Sequence, residues 1–550
     1  MMHRTAPPLL LAALCPLAAA DGEILDIQTI HELEGGLGPV LHDDDGFGAS
    51  IDRIGDLDGN GLVDLIVGAP GDDDAGSDAG AAYVLFLDAD GTVLQRTKIA
   101  APSSAGDFGR AVAQVGDLNS DGTTDVAIGR DRGVELFTLQ PDGSAALWAT
   151  IDATDHIGTM LVSSEFGASL TRLGDLNNDG IEELAVGDPA DDIGGADRGA
   201  VYVYELVPGV IQPQLAVLAS GSGGFLGALS DDDEFGTALA APGDVDGDGV
   251  GDLAVGTPGD DDGGTNEGAV WLLFLNADGS VRDEQKISAL FGAPAHLFDV
   301  VGSFGSSLAR AGDLDGGGGP ELLVGATGVF VLFLRTDGTV RSFLDYDDQA
   351  LFGGTKLKLG RGLCAMEDHD GDGEKELVLG DPGDDTAGVD RGALHVLFAA
   401  GVEAAQVSLH GCGAAPPGSL ELSDAPFLGS SFDFLVDNPL GSQNPGALPF
   451  VALSTVDIAS PCGAPIPGLG MTPGGLGELL VLAPFVVPEL IGPAWAGPGQ
   501  PAAVPAALPQ EPELLGLSLY AQGLLFDPTG GPTGLVELGL TRGLELVIGT

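Results

Sequence analysis

The strongest constraint on this 550-residue chain is a short acidic fragment that recurs six times. GDLDGNGLVDLIVGAPGDDD begins at Gly55, followed by GDLNSDGTTDVAIG from Gly116, GDLNNDGIEELAVGDPADD from Gly174 and GDVDGDGVGDLAVGTPGDDD from Gly243. Two looser copies are GDLDGGGGPELLVGATG from Gly312 and EDHDGDGEKELVLGDPGDD from Glu367. The first loop aspartates (Asp56, Asp117, Asp175, Asp244, Asp313 and Asp368) are 61, 58, 69, 69 and 55 residues apart. A period of that length describes one supersecondary unit that buries its apolar faces only against copies of itself.

Each copy contains four β-like stretches. An FG-containing strand comes first (Phe47-Gly48, Phe108-Gly109, Phe166-Gly167, Phe235-Gly236, Phe304-Gly305). Then come the acidic loop, a strand such as Asp64 to Gly68 and a third such as Ala82 to Leu87. An Asp-Gly turn (Asp90-Gly91, Asp142-Gly143, Asp278-Gly279, Asp337-Gly338) leads into the fourth. Gly 90 and Pro 35 supply the turns, and 44% hydrophobic residues argue against wholesale disorder. No stretch shows a 3.6-residue period. Four antiparallel strands per copy, six times over, predict an all-β propeller.

The FG pair, the DxDxDGxxD loop and the G-A-P element recur in fixed order. Over residues 21–409 they resemble the FG-GAP repeats of integrin α-subunit propellers and their bacterial relatives. Members of that family often have seven blades, whereas six copies are countable here. The stretch Ile24 to Leu33 is a spare strand that can close a six-bladed ring by pairing with the last blade; a seventh blade built from the two ends is the alternative.

The loops carry the chemistry. In the first, Asp56, Asp58, Asn60 and Asp64 occupy positions 1, 3, 5 and 9, with Gly61 at the sharp turn. Oxygen side chains at alternate positions of a tight turn suit a hard cation that needs six or more oxygens, which is calcium. The equivalent sets are Asp117, Asn119, Asp121 and Asp125; Asp175, Asn177, Asp179 and Glu183; Asp244, Asp246, Asp248 and Asp252; and Asp368, Asp370, Asp372 and Glu376. The fifth copy keeps Asp313, Asp315 and Glu321 but has Gly317 at position 5, so its loop is expected to be weak or empty. About five structural calcium ions are therefore expected. An EF-hand is excluded because its position-12 glutamate is replaced by Val67, Ile128, Val186, Val255, Val324 and Leu379.

Charge narrows the partners. Asp+Glu 83 against Lys+Arg 20 gives −63, which repels phosphate backbones and excludes nucleic-acid binding. Hairpin alternation places the metal loops with the 3–4 turns on one face and the 2–3 and 4–1 loops on the other. That second face carries Asp72-Asp73-Asp74, Asp191-Asp192, Asp260-Asp261-Asp262, Asp384-Asp385, Asp43-Asp44-Asp45 and Asp231 to Glu234. It reads either as a solvated surface or, by the resemblance, as a face that receives a protein ligand.

His3 and Arg4, the apolar run Leu9 to Leu17 and Ala18-Ala19-Ala20 read as a signal peptide over residues 1–20, implying a secreted or cell-surface protein. No later apolar run is long enough for a transmembrane segment. Export permits disulfides; Cys412 and Cys462 are the plausible pair, and Cys364 a buried free thiol. Residues 410–418 read as a linker and 419–550 as a small β-sandwich. The stretch from Pro512 to Gly523 resembles C-terminal modules of planctomycete-type secreted proteins. No GxSxG, HExxH or P-loop is present and no histidines pair; His369, between two loop ligands, reads as exposed. The chain therefore reads as a non-enzymatic adhesion or protein-interaction module. The alternatives are a lectin-type, glycan-binding propeller and an extracellular hydrolase or lyase.

Overall fold

The computed structural model describes residues 24–102, 106–153, 165–207, 214–293, 297–298, 302–315, 319–346, 351 and 359–399, and beyond them isolated strands between 406 and 547. Six four-stranded antiparallel sheets form the blades of a propeller. Blade 1 comprises Ile51–Gly55, Asp64–Ala69, Ala81–Leu87 and Val93–Ala100. The first strands of blades 2 to 6 are Ala111–Gly116, Ser169–Gly174, Leu239–Gly243, Ser307–Gly312 and Leu363–Ala365. These six strands surround a central channel of about 930 Å³.

The burial pattern explains why the strands read as apolar runs rather than as alternation. Asp64–Ala69 and Ala81–Leu87 are buried at every residue, because both faces of a blade lie against its neighbours. The outer strand Val93–Ala100 is exposed at Leu94, Gln95 and Ala100 and forms the rim.

The FG pair precedes the first strand instead of lying within it, and joins blade to blade. Phe108 of blade 2 bridges to Gly80 of blade 1, and the same bridge links Phe235 to Gly199, Phe304 to Gly268 and Phe47 to Gly392. All four phenylalanines are fully buried. Behind them the backbones almost touch: a Cβ on Gly68 would lie 1.9 Å from the carbonyl oxygen of Gly109. No other residue fits there, which is the physical content of the motif. The sixth FG, absent from the sequence pattern, is Leu359-Gly360: Gly360 donates to the carbonyl of Gly380 at 2.8 Å, as Gly48 does to that of Gly68 at 3.0 Å.

The spare strand closes the ring. Ile24–Ile30 pairs antiparallel with Ala393–Ala399 of blade 6, from Ile24 opposite Ala399 to Ile30 opposite Leu394. Blade 6 thus takes its outer strand from the chain's beginning, and the propeller has six blades. Across the same seam His369 meets the carbonyl of Asp88 through Nε2 at 2.9 Å. It is 2% exposed, which corrects its reading as an exposed residue.

Beyond the propeller, Gln406–His410 pairs with Glu537–Val547, which continues through Ser518–Asp527 to Leu448–Ser454. Leu420–Leu422, Ser431–Val436 and Ala502–Ala507 form a three-stranded sheet, and Ala464–Pro467 pairs with Leu476–Leu479. The expected boundary at residue 409 falls inside the first of these strands. Cys364 is a buried free thiol; Cys412, Cys462 and residues 1–20 lie outside the described residues. Among the described residues no helix is long and apolar enough to cross a membrane.

Candidate metal centres

Each acidic loop joins the first strand of a blade to the second, and the second strand brings the position-9 carboxylate inside. Asp64, Asp125, Glu183, Asp252, Glu321 and Glu376 are all 2% exposed or less. Each accepts the backbone N–H of the residue at position 2: Leu57, Leu118, Leu176, Val245, Leu314 and His369 donate at 2.7 to 2.9 Å. The outer ligands shape the turn. Asp56 accepts from Gly59 and Gly61 at 2.8 and 2.9 Å, Asp58 from Asn60 at 3.0 Å and Asn60 from Leu62 at 2.7 Å. The fourth loop repeats this at Asp244 and Asp248.

The carboxylates converge. One oxygen from each of Asp368, Asp370, Asp372 and Glu376 lies within 4.8 Å of the others, as do sets from Asp56, Asp58 and Asp64; Asp244, Asp246 and Asp248; and Asp313, Asp315 and Glu321. In the second and third loops, where Asn119 and Asn177 hold position 3, no carboxylate trio closes to that distance among the described residues.

Burial makes the position-9 charges costly. It raises Asp252 to about 6, Asp64, Glu183 and Glu376 to about 7 and Glu321 to about 8, with the neighbouring loop carboxylates adding to the rise. Asp64 Oδ1 and Glu183 Oε1 are buried without a hydrogen-bond partner. Dry carboxylate oxygens converging in an all-oxygen set fit a hard divalent cation, which would reverse the cost.

The fifth loop is built differently. Arg341, with its side chain 11% exposed, places its guanidinium on Asp315 and 3.4 Å from Glu321 Oε1, over the ring of Phe333. A fixed internal cation thus stands among the carboxylates where Gly317 leaves position 5 without a ligand. In the fourth loop Arg282 reaches Asp246 and Asp248, but from a side chain 37% exposed. Arg341→Leu is expected to cost about 3 kcal/mol by urea unfolding, because it strands two buried carboxylates. Arg282→Leu is expected to cost much less, because an exposed pair is screened by solvent. Equal losses would contradict the internal-cation role.

The opposite face is less exposed than its sequence implies. Asp72, Asp191, Asp260 and Asp384 are at most 5% exposed. Asp72 accepts from Tyr83 Oη at 3.0 Å and Lys98 Nζ at 2.6 Å; Asp191 accepts from Tyr202 Oη at 2.6 Å; Lys286 lies 2.6 Å from Asp260. In the loops of Asp72, Asp191 and Asp260 one aspartate therefore ties the loop to its own blade. The lysines had a sequence signal that went unread: each sits across the sheet from the blade's aromatic residue, Lys98 from Tyr83 and Lys286 from Trp271.

Asp45, fully buried beside Asp72, is raised to about 6 by burial. Since the folded state holds its proton more tightly than the unfolded chain, whose carboxyl titrates near ~3.9, its charge costs stability above pH ~6. That cost fades as the pH falls to ~4. Asp45→Asn keeps an acceptor for the His42 N–H and is expected to stabilise the protein by ~1–2 kcal/mol at pH 7.5 and by nothing at pH 4. Urea titrations at both pH values check this; a gain independent of pH would refute it.

Comparison with known protein families matches the FG-GAP repeat over residues 47–85 and 235–273, and an FG-GAP-like repeat over residues 117–186. Among curated proteins the chain is 31% identical to integrin alpha pat-2 of Caenorhabditis briggsae over 227 residues, 38% of this chain and 17% of that protein. It is 33% identical to integrin alpha-PS5 of Drosophila melanogaster over 178 residues, 30% of this chain and 16% of that one. Integrin alpha-E of Homo sapiens gives 33% over 204 residues, covering 36% and 16%. The chain thus spans less than a fifth of the length of these relatives.

Proposed function

We propose that this FG-GAP, integrin-alpha-like propeller is an exported, calcium-stabilised interaction module that binds a protein partner outside the cell and catalyses nothing. The observation that carries the reading is the six-fold identical clamp on the position-9 carboxylate, which builds a rigid corner at the same place in every blade. Calcium would be held by Asp56, Asp58, Asn60 and Asp64 and by their equivalents in blades 2, 3, 4 and 6, while Arg341 serves the fifth loop. The ions supply rigidity and charge compensation. The chain's own residues do the rest: first strands hold the ring together, and the connecting loops present a surface of fixed shape.

Residues 1–20 serve in this reading as the export signal, 410–418 as a linker and 419–550 as a β-sandwich-like module for attachment or sorting. Metal analysis of the purified chain in millimolar calcium is expected to find four or five bound ions; none would overturn the metal assignment. A glycan array and a panel of immobilised extracellular proteins then test the partner class. Calcium-dependent retention on protein supports the reading, and binding confined to glycans would replace it with a lectin.

A further inference from the structure

The central channel lacks the acidic excess of the rest of the chain: Asp52, Glu165, Asp197 and Glu234 are the acids in its lining, and they are outnumbered by arginines. Five of the 20 Lys and Arg residues line it: Arg53, Arg110, Arg172, Arg310 and Arg361. Three of them share one register position, three residues before the first loop aspartate. Arg53 lies opposite Leu65, Arg172 opposite Leu184 and Arg310 opposite Leu322, each followed by a bulge at glycine. They stand on blades 1, 3 and 5. The same position in blades 2, 4 and 6 holds Gln114, Ala241 and Ala365, which carry no charge and leave the space between the arginines open. The result is a ring of three guanidinium groups at the metal-loop mouth of the channel.

The partners of these groups are unequal. Arg172 is forked onto Glu182, with both bonds at 2.7 Å. Arg53 donates to the carbonyl of Ala365 at 3.1 Å and to Glu367 at 3.0 Å. Arg310 makes no hydrogen bond or ion pair among the described residues and its side chain reaches solvent; partial desolvation and the charges of Arg53 and Arg172 disfavour its charged form, with Glu367 opposing them. Lys375 adds a fourth positive charge, 3.4 Å from Glu367 and close against Gly312. Asp52, also in the channel wall, turns its oxygens to the backbone N–H groups of Arg53 and Gln114 at 2.8 Å. Four positive groups thus face three carboxylates in a chain that is otherwise strongly acidic.

We propose that the mouth of the channel, at Arg53, Arg172 and Arg310, is a binding site for a tetrahedral oxyanion, sulfate or phosphate, free or as the terminal ester of a larger ligand. Guanidinium forks match the paired oxygens of such a group, and three of them converging from alternate blades match its remaining faces. Arg310, with all its donors unused, is the principal contact. The site stands apart from the calcium reading, since no loop ligand takes part in it.

The test is calorimetric titration of the full chain, in calcium and at constant ionic strength, with sodium sulfate and with sodium acetate as control. One sulfate per chain is expected, with acetate at least tenfold weaker. Arg310→Ala should weaken sulfate about tenfold, the weight of one charge-assisted contact. Arg361→Ala, in the same channel at the opposite end, should leave it unchanged. Because Arg310 makes no hydrogen bond or ion pair among the described residues, and Arg53 and Arg172 together oppose its charge more than Glu367 supports it, Arg310→Ala should not lower the melting temperature in sulfate-free buffer but should remove the rise that sulfate produces. A heat of zero with the parent chain, equal affinity in Arg310→Ala, or a lower melting temperature for that variant without sulfate would each overturn the proposal. Titration with a sulfated disaccharide separates the two sources: tighter binding than sulfate assigns the ester, and weaker binding the free ion.

Discussion

Chelation should lower the melting temperature of the full chain by about 10–20 °C. An ion that binds the folded state alone stabilises it by about 2.7 kcal/mol when its concentration is a hundred times its dissociation constant. Four or five such loops in one cooperative ring sum to about 10 kcal/mol or more. A propeller this large converts each kcal/mol into about 1–2 °C, below the 2–4 °C typical of smaller domains. The structural reason lies in the position-9 carboxylates of blades 1, 2, 3, 4 and 6, which are dry, held by backbone N–H groups and raised by burial. Without a cation each is either charged in a dry pocket or protonated, and both states cost stability. Scanning calorimetry in 1 mM calcium and in excess EGTA checks the result, and an unchanged melting temperature would sink the metal assignment. Asp248→Ala localises the effect. Its partner Arg282 is exposed, so the variant should lose stability when calcium is present and almost none in EGTA. Equal losses in both buffers would mean that Asp248 acts through the arginine alone.

The parts of this structure that could be read from sequence are those encoded by local chemistry. The loops were legible because alternate oxygens around a glycine have few other uses. The blades were legible because strands covered on both faces must be apolar throughout, as in the run AVWLLFL of Ala269–Leu275. The sixth FG was not, since Leu359-Gly360 keeps the backbone contact while losing the aromatic ring that marks the other copies. The position of FG ahead of the strand depends on contact with the neighbouring blade, which no local pattern records. The burial of Asp72 and His369 was likewise hidden, because both residues find their partners across the fold: Tyr83 and Lys98 for one, the carbonyl of Asp88 for the other. Arg341 is the clearest case. The glycine at position 5 marked the fifth loop as different, but the arginine that stands on its carboxylates lies 24 residues further along, on the outer strand of the blade.

Removing residues 24–36 should destabilise the propeller by more than about 5 kcal/mol and drive self-association beyond that of the parent chain. Every other blade is completed by its own repeat, so its four strands form from local contacts. Blade 6 alone depends on a strand more than 360 residues away in sequence, and the ring is only as closed as that pairing. The deletion removes the ladder from Ile24 to Ile30 and takes fully buried Ile30 out of a cluster with Leu65, Tyr83 and Val396, a loss of about 3 kcal/mol for that side chain alone. It also removes Glu32, one of two carboxylates on Arg391, leaving Asp43 at 2.8 Å to hold that seam. What remains is Ala393–Ala399 as a bare edge, buried on both faces at its centre and rich in β-branched and aromatic neighbours, which pairs with whatever strand it meets. Sedimentation should therefore show dimers and larger species, and thermal unfolding should begin well below that of the parent chain. A peptide of residues 24–37 added in trans should bind the vacant edge and restore both the melting temperature and the sedimentation profile of the parent chain. A truncated chain with the parent's sedimentation and an unchanged melting temperature would mean that the ring is held by the first strands and the FG contacts alone, with the closing strand an ornament on blade 6.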